Sequence, residues 1–262
     1  MGLSANAAAL DIPLSGRDAD RRPGMGRLTA VELRKMVDAC AGFWLQLAVV
    51  ALTVIVVGVI DIAGKAEDQT LAQMLSAAVT PASILLSVVG ILLVSSEWSQ
   101  RTAPITFVLV PHRGRVLAAK VAASVVLSLV AFVFCLVVSA IGTAIASPGI
   151  DGTWSLSAGL LGQSVLSLTT SVVTGVAFGA ALLSSAPAIV LSFVLPLGWA
   201  AIGSIHALEP TARWLDGTRS LSPLTEHLLS TTEWARAGTT LAVWMVLPLA
   251  IGLWRILRDE VS

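Results

Sequence analysis

Three groups of residues in this sequence have types and spacings that could do chemistry. The first is GVIDIAGK, Gly58 to Lys65, which has the glycines and lysine of a phosphate-binding loop. Such a loop needs four residues between its glycines and a Ser or Thr after the lysine to hold magnesium. Here five residues intervene and Ala66 follows Lys65, so nucleotide chemistry is expected on another chain. The second is His206 with Glu209. An intramembrane hydrolase needs its His paired with a carboxylate or Ser at depth, and these two fall at the end of an apolar run. The third is SSEWSQRTAPITFVLVPHRGRVLAAK, Ser95 to Lys120, which places Glu97, Arg101, Arg113, Arg115 and Lys120 between two long apolar stretches. These charges form no catalytic set. They bracket a short apolar segment, Ile105 to Val110, on which a force could act.

The surroundings of that stretch explain why its charge matters. The chain is 56% hydrophobic and 12% charged, with a mean hydropathy of +0.87, against about 25% charged residues in soluble domains. It belongs in a bilayer. Its formal net charge is zero, which gives no reason to expect nucleic acid or an acidic substrate. Cys40 and Cys135 lie in apolar helical surroundings, where a cysteine behaves as a small hydrophobe, so neither a disulfide nor a metal site is expected.

A bilayer core needs about 20 apolar residues per helix. Six stretches qualify: 43–62, 77–96, 118–146, 156–183, 187–206 and 237–256. An even number puts both termini on one side. Arg17, Arg21, Arg22, Arg27, Arg34, Lys35, Arg101, Arg113, Arg115, Lys120, Arg255 and Arg258 share that side, whereas Lys65, Arg213, Arg219 and Arg236 face the other. The lysine and arginine bias therefore predicts cytoplasmic termini. Trp44, Trp98, Trp154 and Trp254 fall near span ends, the depth that amphipathic rings prefer. No Asp, Glu or His lies at mid-depth, as ion-driven pumps require. Span 4 carries Ser, Thr and Gly instead, including Gly175-x-x-x-Gly179, a pattern expected to serve ordinary close packing.

Residues 1–27 are expected to be a cytoplasmic tail, without the apolar core of a signal peptide and with Asn6 where an acylation motif needs Ser or Thr. Thr29-x-x-Glu32 predicts a capping box opening an interfacial helix over 28–40, with Leu33, Met36, Val37 and Cys40 on its apolar face. Thr102 can cap a helix of about two turns whose first turn tolerates Pro104 and which Pro111 must end. That defines a segment, 97–116, held between spans 2 and 3. The loop 207–236 carries Ser222-Pro223 and the capping box Ser230-x-x-Glu233, so short helices are expected over the outer mouth.

Glu97, Arg101-Thr102, a short apolar helix, Pro111-x-Arg113-x-Arg115 and Lys120 together resemble the cytoplasmic signature of ABC-2 type transporter permeases. LTAVELRKMVD, containing Glu32, Arg34 and Lys35, is similar to the helix leading into that family's first span, and LAVWMVLPLAIGLWRILRDEVS to its last span and tail. Arg101 stands where many members have Gly. The resemblance implies an all-α membrane protein with six transmembrane helices, an N-terminal interfacial helix and a cytoplasmic coupling helix, placed in a bacterial cytoplasmic membrane. It implies partnership with two copies of an ABC ATP-binding subunit, which carries the ATP and magnesium, and with a second membrane subunit, identical or homologous. This chain would hold no cofactor and be no enzyme. Glu97, Arg101, Thr102, Pro111, Arg113, Arg115, Lys120, Glu32, Arg34 and Lys35 would couple it to the ATPase. Spans 2 and 5 would line the path, with Ser83, Ser87, Phe193, Pro196 and Trp199 near the cargo. The expected function is export of a hydrophobic or amphipathic, drug-like compound. The alternatives are a non-exporting immunity or sensor subunit and, from another class, an intramembrane enzyme.

Overall fold

Backbone in hydrocarbon has no water to bond, so a long apolar run must close its hydrogen bonds within itself as a helix. The computed structural model describes residues 24–38, 40–64, 69–99, 113–147, 152–205 and 207–258. Among them there is no strand. The helices are α1 (Met25–Asp38), α2 (Cys40–Ala63), α3 (Leu71–Ser99), α4 (Arg113–Ala146), α5 (Ala158–Leu182), α6 (Ser185–Ile202), α7 (Glu209–Leu215), α8 (Gly217–Leu221), α9 (Pro223–Glu226), α10 (Thr231–Leu241) and α11 (Leu247–Arg258). A single π-helical turn, Ala242–Val246, joins the last two. Six helices are long and apolar enough to cross a membrane: α2, α3, α4, α5, α6 and the continuous run from α10 to α11. This is the architecture of a helical, multi-pass membrane protein.

The six spans match the expected ones, and most run longer at their ends. One local expectation is corrected. Helix α1 begins at Met25, inside the expected tail, so Thr29 is no N-cap; its hydroxyl donates to the Met25 carbonyl at 3.0 Å within the helix. Glu32 is thereby freed from a capping box and spends its carboxylate on lysines, described below. The short helices expected within 207–236 are present: α7, α8 and α9 follow one another, and α10 begins at Thr231 and runs on into the last span. Ser222 makes no side-chain cap on α9, although Pro223 does open that helix. The capping box of Ser230 and Glu233 is formed as expected.

Helices α3 and α5 form the centre of the bundle. Of their most apolar windows 56% is buried, against 6% for α6 and 17% for α2. Their contact is a glycine interlock. A Cβ on Gly90 of α3 would fall on the Val172 carbonyl oxygen of α5, and one on Gly175 would fall on the Ser87 carbonyl oxygen of α3. A Cβ on Gly179 would stand 2.8 Å from the Ile91 carbonyl oxygen. Small residues let the two backbones touch, which is how helices associate without a hydrophobic force between them. Gly175-x-x-x-Gly179 therefore packs inside the chain. Gly252 extends the arrangement to α11, where an added Cβ would lie 2.5 Å from the Ala180 side chain. Arg255 of α11 then donates to the Ala181 carbonyl at 2.6 Å, satisfying an end group of α5.

The remaining helices surround this pair. Val49 and Val57 of α2, Met74, Ala78 and Leu86 of α3, Cys135 of α4 and Leu168 of α5 share one buried cluster. The Cys135 thiol donates to the Ala78 carbonyl at 3.7 Å. Outward-facing positions such as Ile55, Val59, Val130 and Val133 are apolar and exposed, as lipid-facing surface must be.

Gly175→Leu should break the α3–α5 contact, at a cost of about 1–3 kcal/mol or more for overpacking. Gly162, which has nothing within 4 Å of an added Cβ, should accept Ala with unchanged thermal stability. Melting of both variants in detergent checks the contrast.

Candidate functional site

A lysine ammonium has three protons, and burial leaves it costly unless each finds an acceptor. Lys120, two turns into α4, is buried and meets that condition. Its Nζ donates to Glu32 Oε2 at 2.6 Å, to Glu97 Oε1 at 3.0 Å and to the Leu93 carbonyl at 3.0 Å. Lys35, one turn after Glu32 on α1, donates to Glu32 Oε1 at 2.9 Å and to Glu97 Oε1 at 2.8 Å. Two lysines and two glutamates thus neutralise one another while tying α1, the last turns of α3 and the first turns of α4 together. Met36, Leu93, Val94, Leu117 and Ile256 form the buried apolar cluster beneath, and Trp98 packs against it. The spacing in the chain makes this possible: Glu32 and Lys35 share a helix face, and Leu93 and Glu97 lie one turn apart.

The Lys35 side chain is 43% exposed. Burial opposes its charge, but the hydrogen bonds it donates to Glu97 and Glu32 outweigh that, and its pKa lies above the ordinary amine value. Its contribution to stability is therefore complete below the ordinary lysine range and is lost only as pH climbs through the raised value.

Of the residues expected to couple this chain to a partner, Glu32, Lys35, Glu97 and Lys120 are brought together here. They face one another, forming an internal clamp. Arg34 lies on the exposed side of α1, and Arg115 in the first turn of α4. Arg113 opens α4, its side chain lying outside the described residues, as do Arg101, Thr102, Pro111 and the whole expected coupling helix. His206, the candidate catalytic histidine, also lies outside them. Among the described residues no cluster of His, Cys, Asp or Glu could hold a metal.

At the opposite end the chain builds a cap. Asp216 is fully buried and caps α8, accepting from the backbone N–H of Thr218 at 2.9 Å and of Arg219 at 3.3 Å. The cap is fastened on two sides. Gln163 of α5 donates to the carbonyls of Leu224 at 3.3 Å and His227 at 2.8 Å and accepts from the Leu229 N–H at 3.3 Å. From the last span, Thr240 donates to the Trp214 carbonyl at 3.0 Å and the Trp244 indole to the Leu215 carbonyl at 2.7 Å. Trp244 sits in the π turn, a local irregularity that re-aims side chains and recurs at functional sites.

Beneath the cap lies a cavity of about 460 Å³, walled by α3, α5, α6, α8, α10 and the π turn. Ser83, Ser87, Phe193 and Pro196, four of the five residues assigned to a cargo path, line it. Trp199, one turn further along α6, is not among its walls. Thr170, Ser171, Thr174, Phe178 and Trp244 complete much of the lining, and they were not picked out as cargo contacts. The hydroxyl richness of span 4 was the available signal for the first three. No lining residue is charged. Both sites lie on α3, which carries Glu97 near one end and Ser83 and Ser87 at mid-length, and α5 is packed against α3 through the glycines.

No protein-family model matches the chain, and no curated protein matches it as a relative. Its classification rests on the fold: a multi-pass helical membrane protein with a charged clamp at one end and a capped cavity in the other half.

Two outcomes follow from the clamp and the cap. Lys120→Met strands two carboxylates with one half-exposed lysine and should cost about 3–5 kcal/mol, as breaking a buried pair does; Lys35→Met should cost about 1 kcal/mol or less. Chemical denaturation in mixed micelles ranks the two. Gln163→Leu leaves three backbone groups of the cap without their partner, at about 1–3 kcal/mol for an unmet buried group. Hydrogen exchange over 222–230 should then quicken about tenfold while that of α3 stays unchanged.

Proposed function

We propose that this chain is the membrane-spanning half of an ATP-driven exporter of the ABC-2 permease kind, moving an apolar or amphipathic, uncharged compound out of a bacterial cell. The clamp end is then cytoplasmic and the cap faces outward. Two ATP-binding subunits supply the energy, and a second membrane subunit completes the transporter. Helix α1 lies at the cytoplasmic interface.

The observation that carries this reading is the clamp of Glu32, Lys35, Glu97 and Lys120. It unites the point where α3 ends and the point where α4 begins, the two attachments of segment 100–112. A partner pressing on that segment would load both helices and α1 at once. Buried ion pairs depend steeply on geometry, so the load is resisted as one body and passed to α3. Helix α3 is interlocked with α5, and together they form two walls of the cavity. Motion at the clamp end is thereby delivered to the walls and the cap, the coupling an exporter needs between fuel and cargo path. The cavity, uncharged and large enough for a drug-sized fragment, supports the cargo class.

Purification of the tagged chain from native membranes should recover a Walker-type ATPase in stoichiometric amount. Glu97→Gln should keep that complex but abolish hydrolysis stimulated through the membrane subunit, and Arg113→Gln should weaken the complex itself. A fully active chain with no ATPase companion, or normal coupled hydrolysis in both variants, would sink the proposal.

A further inference from the structure

We infer that the capped cavity selects ligands that donate hydrogen bonds: uncharged molecules with an apolar body and alcohol, phenol or N–H groups. This rests on reading the cavity as the cargo site. A carbonyl oxygen can only accept, so each hydroxyl bonded to a backbone carbonyl has spent its single proton. Ser83 donates to Thr80 at 2.8 Å, Thr170 to Ser167 at 3.0 Å, Ser192 to Ile189 at 2.8 Å and Thr240 to Trp214 at 3.0 Å. These four wall hydroxyls offer the cavity lone pairs alone. Such back-bonding is the habit of Ser and Thr inside helices. The Trp244 indole, the lining's aromatic donor, is spent on Leu215.

Four further wall hydroxyls, Ser87, Ser171, Thr174 and Thr218, can turn either way. A ligand N–H or O–H can therefore be met by any of the eight wall hydroxyls, whereas a ligand ether or carbonyl finds side-chain donors at half of them. The absence of charged side chains from the lining leaves an anion or a dication without a counter-charge. Phe178, Phe193 and Ile84 provide the apolar surface for the body of the molecule. Each polar group left unmet on binding weakens it, and the donor bias becomes a selection rule.

A matched probe pair tests this: bisphenol A, with two phenolic donors, and its dimethyl ether, with the same body and none. Binding to the full chain in phosphatidylcholine nanodiscs is measured by equilibrium dialysis, and Thr174→Trp, whose cavity is filled, subtracts partition into lipid. Bisphenol A should bind about 5- to 30-fold more tightly than the ether, the range that one or two hydrogen bonds give. Ser83→Ala with Ser192→Ala should shrink that ratio towards one while leaving ether affinity unchanged, which also shows that the variant folds. Equal affinity of the two probes for the wild type would overturn the donor rule and leave the cargo site standing. No saturable binding that the filled variant loses would overturn the cargo site and the rule with it.

Discussion

A single ammonium group organises one end of this molecule. Lys120 brings a charge into an almost dry place, and every one of its protons is answered by an oxygen from a different partner: Glu32, Glu97 and the Leu93 carbonyl. Such an arrangement tolerates little displacement, because Coulomb attraction at low dielectric is strong and the alternative is an unmatched charge. It fixes the position of α1, which has few apolar contacts of its own, against the bundle. It also holds the Glu97 end of α3 against the first turns of α4.

From that point order propagates by steric means. The backbone contact of Gly90, Gly175 and Gly179 allows no slack between α3 and α5, so these two helices behave as one unit with the clamp at one end and the cavity wall along their length. The cap is held from this unit by Gln163 and from the last span by Thr240 and Trp244. Electrostatics, close packing and hydrogen bonding act at successive depths, each where its surroundings make it strongest.

The fold was largely legible in the sequence because length and hydropathy are local properties: all six spans were found, with ends that differ by a turn or so. What escaped was tertiary. Thr29 and Glu32 have the spacing of a capping box, but the helix begins a turn earlier and Glu32 pairs with two lysines. Asp216, which caps α8, preceded a glycine in a loop and could have been read as a cap. Gln163 could not, because its partners lie more than sixty residues away. Likewise Glu97 and Lys120 were marked by their place at span ends, but nothing in the spacing told that Glu32 would reach them. Four of the five supposed cargo residues share one cavity; Trp199 misses it because it stands beyond Leu197, the last residue of α6 in the lining.

The cavity's walls differ in stiffness. Helices α3 and α5 are locked by backbone contact, whereas α6 buries a single residue, Ala188, and is held by Ser185 bonding to Ser95 and by a small apolar cluster with Ile91 and Phe178. A guest of awkward size therefore meets a hard side and a compliant one. Within the chain little packing opposes outward bending of α6, so under the cargo reading proposed above occupants of different bulk would be accommodated with little penalty. Under that reading such a chamber would discriminate shape poorly, and its choosiness would come from polarity.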